Sequence, residues 1–183
     1  MRRSNSRLFW WVLVGVTGID AVTKLLAVKH LDAYRVPYDL NLGDWVQFTL
    51  VHNPGAAFGL HVGPHSRWVF MFLTLVALVI LGRLYLATRP GDRPRAFALA
   101  LVCGGAVGNL IDRVRSASGV VDFIDVGFGD ARWPTFNVAD MAVSMGAFLL
   151  AWVLWGEETE GAVAPAPVVH APAHGAGTPP EIS

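Results

Sequence analysis

The sequence predicts an α-helical integral membrane protein: four transmembrane helices with a small antiparallel β element on the extracytoplasmic side. Of its 183 residues, 54% are hydrophobic and 15% are charged, a composition too apolar for an ordinary soluble domain of this length. Four apolar runs are long enough to cross roughly 30 Å of hydrocarbon as helices. The predicted spans lie at about residues 8–28, 68–87, 96–114 and 138–155.

The β element is expected between the first and second spans, at about residues 44–62. Residues 45–50 alternate between apolar and polar side chains, as a half-buried strand does. Residues 52–55, His-Asn-Pro-Gly, are typical of a turn, and residues 56–60 are expected to return as a second strand.

Basic residues predict which ends of the spans face the cytoplasm. They cluster before the first span and in the link between the second and third: Arg2, Arg3, Arg7, Arg83, Arg89, Arg93 and Arg95. Such clusters favour the cytoplasmic side, so both termini are expected there. The first run exceeds the apolar part of a signal peptide and is expected to remain as a span. Residues 1–156 thus form one membrane domain, and the Ala/Pro-rich residues 157–183 predict a disordered cytoplasmic tail.

Several classes of function are excluded by composition. The 14 basic and 14 acidic residues balance, so nothing favours binding to nucleic acid. Cys103 is the only cysteine, which excludes an internal disulfide and a Cys-rich metal site. His52, His61 and His65 lack the i, i+4 spacing of a zinc protease helix. We therefore expect no metal and no cofactor.

Two aspartates stand at the edges of apolar segments. Asp122 lies between two apolar pairs, and Asp140 follows Asn137 by three residues where the fourth apolar run begins. A buried, unpaired carboxylate usually takes up a proton, and two brought together can share one. One carboxylate then activates water while the other polarises a carbonyl, as in aspartic proteases. A structural interpretation stays open: Asn137 as a helix N-cap with Asp140 in the first turn, and Asp122 at a strand end.

Polar residues also occur inside the spans, where they are rare and usually functional or paired. Asp20 and Lys24 are four residues apart, acid first, which predicts a structural ion pair. Asn109, Asp112 and Arg113 form one polar face at the outer end of the third span. We expect them to line a polar cavity rather than to serve helix packing with a snorkelling Arg113.

Five motifs follow one another along residues 8–156. They are DAVTK (20–24), HNPGAAFG (52–59), GNLIDR (108–113), VVDF (120–123) and FNVAD (136–140). In order and spacing, these motifs resemble the lipoprotein signal peptidase (signal peptidase II) family of aspartyl intramembrane proteases. Residues 157–183 have no counterpart in this pattern.

The resemblance implies an aspartic endopeptidase of the bacterial inner membrane that removes signal peptides from prolipoproteins, cutting before the diacylglyceryl-modified cysteine. Asp122 and Asp140 become the catalytic dyad, facing the periplasm. The substrate-binding residues that it implies are Asn53, Asn109, Asp112, Arg113 and Asn137. The partners it implies are diacylglyceryl-modified prolipoproteins, membrane lipids and globomycin-type inhibitors, bound by a monomer.

Two other classes of membrane protein share parts of this pattern. A small membrane transport or lipid-binding protein would use Asp20, Lys24 and Asn109 as a pathway, but it does not explain paired aspartates at the interface. Residues 127–130 fit the GxGD string of presenilin-type proteases, and residues 38–39 the matching YD pair. Those proteases hold both aspartates within membrane helices, whereas these residues lie in polar loops.

Asp125 is a nearer rival to Asp122. It lies three residues further along a segment that is expected to be extended, so its side chain is expected to face the opposite side.

Overall fold

The computed structural model describes residues 2–31, 43, 45–55 and 63–163. Four long helices dominate it, and each contains a run that is long and apolar enough to cross a membrane. They are α1 (Arg2–His30), α2 (Ser66–Ala87, preceded by a 3-10 turn at Gly63–His65), α3 (Arg93–Arg115) and α4 (Val138–Val163). The predicted class, four membrane helices with a small antiparallel sheet, is confirmed.

The helix α4 extends beyond the boundary that the sequence predicts after residue 156. It continues to Val163, because the glutamates that follow the apolar run favour a helix without requiring lipid around them. The remainder of the predicted tail, residues 164–183, lies outside the described residues.

The third helix is central, since α3 packs against each of the other three. Small residues on its surface make this close packing possible. A Cβ atom on Gly105 would collide with the carbonyl oxygen of Ala139 in α4, and one on Gly108 would collide with the Asp20 carboxylate in α1. The first turn of α4 and the part of α1 around Asp20 therefore both lie directly against α3.

Large apolar side chains remain on the outer faces of the helices. Trp11, Val79 and Phe148 expose 77%, 64% and 72% of their surface. These side chains are not buried within the protein. Contact with lipid tails would keep them from water.

Three antiparallel strands form the sheet, in the order β1 (Val46–Asn53), β2 (Val120–Phe128) and β3 (Ala131–Arg132). The sequence places the whole β element at 44–62, whereas the strand paired with β1 is β2, which follows α3. The expected return strand at 56–60 lies outside the described residues.

The sheet packs on the end of α1 through an apolar cluster. Leu50, Val121 and Phe123 from the strands contact Ala27 and Leu31. Burying these side chains sets which face of each strand points inward, because a shift of one residue would turn the apolar set outward.

Gly119 makes the entry into β2 possible. Its φ is +95°, a value that residues with a Cβ rarely adopt, and a Cβ would collide with the backbone carbonyl of Asn53. The close approach aligns Asn53 with Val120 and Val51 with Asp122. Two segments far apart in sequence thus meet at the outer ends of the helices.

Candidate active site

Asp122 lies within β2 and is only 2% exposed. Two asparagines bind its carboxylate from different elements: Asn53 of β1 donates from Nδ2 to Oδ2 at 3.1 Å, and Asn137 donates from Nδ2 to Oδ1 at 2.6 Å. Both oxygens therefore have amide donors, as a buried carboxylate requires.

The surroundings of Asp122 favour its protonated form. Burial is the largest cause and the negative charge of Asp140 the second, and together they raise the pKa of Asp122 from 3.8 to about 7. The hydrogen bonds from Asn53 and Asn137 and the positive charge of Lys24 oppose this rise. Near neutral pH, this carboxyl can therefore both hold and release a proton.

Asp140 occupies the first turn of α4. Its Oδ1 accepts from the Asn109 Nδ2 at 2.8 Å, and its Oδ2 accepts from the backbone N–H of Asn137 at 3.2 Å. The Oδ1 of Asn137 accepts in return from the backbone N–H of Asp140 at 2.9 Å, which forms a reciprocal helix cap. The cap and the Asn109 amide therefore fix the orientation of the Asp140 carboxyl group.

The side-chain amide of Asn137 links the two aspartates. This side chain is fully buried, and its Nδ2 approaches Asp122 and also the Oδ1 of Asn109, at 3.2 Å. Backbone pairing holds it there, because Phe136 exchanges hydrogen bonds with Ile124 of β2. Asn137 therefore caps α4 and also keeps the two aspartates close to each other.

The polar face predicted on α3 points in two directions. Arg113 is buried, and its guanidinium donates to the carbonyl oxygens of Gly55 and Asn109 at 2.9 and 3.2 Å. Asp112 instead accepts from the backbone N–H of Val121 at 3.3 Å and pairs with Lys24 at 2.8 Å.

Lys24 belongs to a larger cluster than the predicted pair. Its Nζ lies 2.8 Å from Asp20, from Asp112 and from the Oδ1 of Asn109. The structure thus brings Asp20 and Lys24 together and connects both to the polar face of α3.

A cavity of about 430 Å³ opens beside the two aspartates. Of the residues that the sequence singles out, Asn53, Asn109, Arg113, Asp122 and Asp140 line it, while Asn137 and Asp112 lie behind its wall. The lining residues that sequence reasoning missed are Val120, Trp133, Pro134, Thr135, Phe136, Met141, Ser144 and Met145.

One part of this missed lining carried a signal in the sequence. Met141, Ser144 and Met145 are spaced at i, i+3 and i+4, so they share one face of α4. The segment from 133 to 136 carried no comparable pattern, because its place depends on pairing with β2.

The rival carboxylates lie elsewhere. Asp125 pairs with Arg132 at 3.0 Å and does not line the cavity. Asp130 of the GxGD string is exposed in the turn between β2 and β3. Residues 38–39 lie outside the described residues. Across the described parts of the chain, no group of three His, Cys, Asp or Glu side chains is arranged to hold a metal.

Four membrane helices with two carboxylates lining one cavity form the arrangement expected of aspartic hydrolases that work within membranes. A family model described as signal peptidase (SPase) II matches residues 12–156. The chain belongs to the signal peptidase II family, and it is a protease.

Similar proteins agree with this assignment. The chain is 39% identical to the lipoprotein signal peptidase of Syntrophotalea carbinolica over 157 residues, covering 85% of this chain and 95% of that one. It is 42% identical to the lipoprotein signal peptidase of Rhodococcus jostii, covering 85% of this chain and 77% of that one. A solved bacterial membrane enzyme is similar in structure, with a TM-score of 0.75 and 26% identity over 86% of this chain and 93% of that chain.

Proposed function

We propose that this protease removes signal peptides from prolipoproteins by aspartic catalysis, cutting before a diacylglyceryl-modified cysteine. The observation that carries the proposal is the pair Asp122 and Asp140, which line one cavity and are joined through the amides of Asn109 and Asn137. Two carboxylates that share a proton can hydrolyse a peptide bond without a covalent intermediate or a metal.

The two aspartates have different environments, and this difference suggests their roles. Asp140 accepts hydrogen bonds at both oxygens and lies at a helix N-terminus, an environment that suits the role of base. Asp122, with its pKa raised to about 7, holds the proton. Asp140 takes a proton from water as the water attacks the scissile carbonyl, and Asp122 donates to the carbonyl oxygen.

The lining of the cavity suits a substrate with an apolar segment next to a polar scissile bond. Trp133, Met141 and Met145 provide apolar surface. Asn53 and Arg113 provide amide and guanidinium donors, where peptide or headgroup oxygens would bind. Asp112 and Asn137 support this wall from behind.

A lipid on the substrate would supply specificity that an apolar peptide alone lacks. Each buried CH₂ of an acyl chain contributes about 0.8 kcal/mol, and the chains also fix the depth of the cysteine in the membrane. A globomycin-type cyclic lipopeptide would compete for the same surface. We further propose that the protein acts as a monomer.

We place the protein in the bacterial inner membrane with both termini in the cytoplasm and the dyad toward the periplasm. The basic residues at the start of α1 and around the link between α2 and α3 support this orientation. Arg95 at the start of α3 pairs with Glu157 of α4 at 2.7 Å, so these two helix ends lie on one side, opposite the sheet.

The test is cleavage of a purified prolipoprotein with and without its diacylglyceryl group. We expect the lipidated precursor to be cut and the unmodified precursor to remain largely intact, with globomycin blocking the reaction. Equal rates for the two precursors would contradict lipid recognition but not the protease assignment. No cleavage of either precursor would contradict the proposed function.

A further inference from the structure

The ammonium group of Lys24 lies at the centre of a buried polar cluster that the proposed mechanism does not use. Lys24 is 4% exposed and contacts one acceptor on its own helix and two on α3, each at 2.8 Å: Asp20, Asp112 and Asn109. Burying a lysine with two carboxylates adds little net stability, because desolvation offsets the attraction. A cluster of this kind is therefore better explained by what it positions.

Two of the three acceptors hold the backbone next to a catalytic candidate. The Oδ1 of Asp20 accepts from the backbone N–H of Ala139, the residue before Asp140, at 2.9 Å. In the same way, Asp112 accepts from the backbone N–H of Val121, the residue before Asp122, at 3.3 Å. Lys24 pairs with both carboxylates. Through them it connects the start of α4 to β2, the central strand of the sheet.

The third acceptor reaches Asp140 directly. The Oδ1 of Asn109 accepts from Lys24 at 2.8 Å and from Asn137 at 3.2 Å, so its Nδ2 must face Asp140, to which it donates at 2.8 Å. If the amide turned over, its Nδ2 would face the ammonium and its Oδ1 would face a carboxylate. An ammonium has donors only, so Lys24 determines the orientation of this amide.

We propose that Lys24 is a positioning residue that sets the relative placement of Asp122 and Asp140 and thereby the state in which they share one proton. This inference rests on the proposed function, and it assigns Lys24 a role beyond the structural pair with Asp20. Lys24 acts through Asp20, Asp112 and Asn109 and touches no substrate.

Charge provides a second route for the same effect. The groups that face the cluster are Asp20 from α1, Asp112 and Arg113 from α3, Asp122 from β2 and Asp140 from α4. Asp140 raises the pKa of Asp122, and Lys24 lowers it. Loss of the ammonium therefore raises the pKa of Asp122 further above its ordinary range. Asp140 would at the same time lose the fixed orientation of the Asn109 amide that donates to it.

The experiment replaces Lys24 with methionine and measures cleavage of a lipidated prolipoprotein across pH. Activity requires one proton on the pair, so both limbs of the pH profile should move to higher pH in Lys24→Met. We expect kcat to fall about 10- to 100-fold, as for other residues that orient a catalytic group, with KM little changed. Lys24→Arg keeps the charge and should restore the wild-type pH profile with partial activity.

Two further variants separate positioning from folding. Asp20→Asn/Lys24→Met removes the ammonium together with the more deeply buried of its two carboxylate partners, so it should fold and keep the shifted profile. Arg95→Met breaks the Arg95–Glu157 pair at the opposite end of the helices and is the matched control, with the wild-type profile. Thermal unfolding in detergent reports the folded fraction of each variant.

A wild-type pH profile in folded Lys24→Met, with activity reduced only in proportion to the folded protein, would overturn the proposal. Failure of all three Lys24 variants to fold would assign Lys24 to stability alone and overturn it as well. If the wild-type protein cleaves no prolipoprotein, the proposed function itself fails. If the wild-type protein cleaves the prolipoprotein but the Lys24 variants show no shifted pH profile, only the positioning role of Lys24 fails.

Discussion

Asn137 and Asp140 hydrogen-bond to each other twice across the first turn of α4, at 2.9 and 3.2 Å. The side-chain amide of the same Asn137 donates to Asp122 at 2.6 Å. A local helix cap is therefore also the link between the two carboxylates. The structural and the catalytic interpretations of these residues do not compete, because the cap places Asp140 where its charge reaches Asp122.

Replacement of either member of the dyad tests the assignment of the catalytic residues. Asp122→Asn and Asp140→Asn should each reduce cleavage of a lipidated prolipoprotein to background, since an amide neither accepts nor gives the required proton. Both variants should remain inserted in the membrane. Asp125→Asn and Asp130→Asn are matched controls outside the cavity and should stay active. An inactive Asp130 variant together with an active Asp122 variant would show that the wrong carboxylates were chosen.

The raised pKa of Asp122 predicts how stability changes with pH. Its pKa is 3.8 in the unfolded chain and about 7 in the folded one, so between these values the folded protein binds more protons. The contribution of Asp122 to the free energy of unfolding therefore falls as pH rises from about 4 to about 7. Thermal unfolding in detergent should show a Tm that declines over this range in the wild type.

The Asp122→Asn variant is the control for that measurement, because an amide does not titrate. Its Tm should decline less steeply with pH than that of the wild type, whatever its absolute value. If Tm declined equally with pH in both proteins, a group other than Asp122 would be responsible for the decline.

The contact between α3 and α4 is predicted to be sensitive at Gly105. In Gly105→Ala the new methyl group meets the carbonyl oxygen of Ala139, so the variant should lose about 1–3 kcal/mol of stability and part of its activity. Gly15→Ala is the matched control, since nothing lies within 4 Å of its Cβ position. Equal Tm values for the two variants would show that α3 and α4 are not in close contact.

Reporter fusions test the proposed orientation. Fusions after Arg93 and after Gly156 should report the cytoplasm, and fusions near Pro64 and Gly129 should report the periplasm. The reason is that clusters of basic residues favour the cytoplasmic side. Alkaline phosphatase and green fluorescent protein give opposite signals on the two sides. A periplasmic signal after Gly156 would contradict four spans with cytoplasmic termini.

The sequence by itself determined the features that depend on local patterns. The lengths of the apolar runs located the four spans. Residue spacing within a helix identified the Asp20–Lys24 pair, the polar face of α3 and the cap at Asn137. These features follow from helix geometry and from the thickness of the bilayer, which act over a few residues. Roles for Asp122 and Asp140 came from the resemblance of the motifs, since their spacing alone left a structural interpretation open.

Only the tertiary structure decided which of these features meet. The pairing of β1 with β2 brings Asn53 to Asp122, and packing of α1 and α4 on α3 brings Lys24, Asn109 and Asp140 into one network. No local pattern encodes such contacts, because strand register and helix approach depend on burial of side chains that are distant in sequence. For the same reason, no local pattern identified β2 as the strand that pairs with β1.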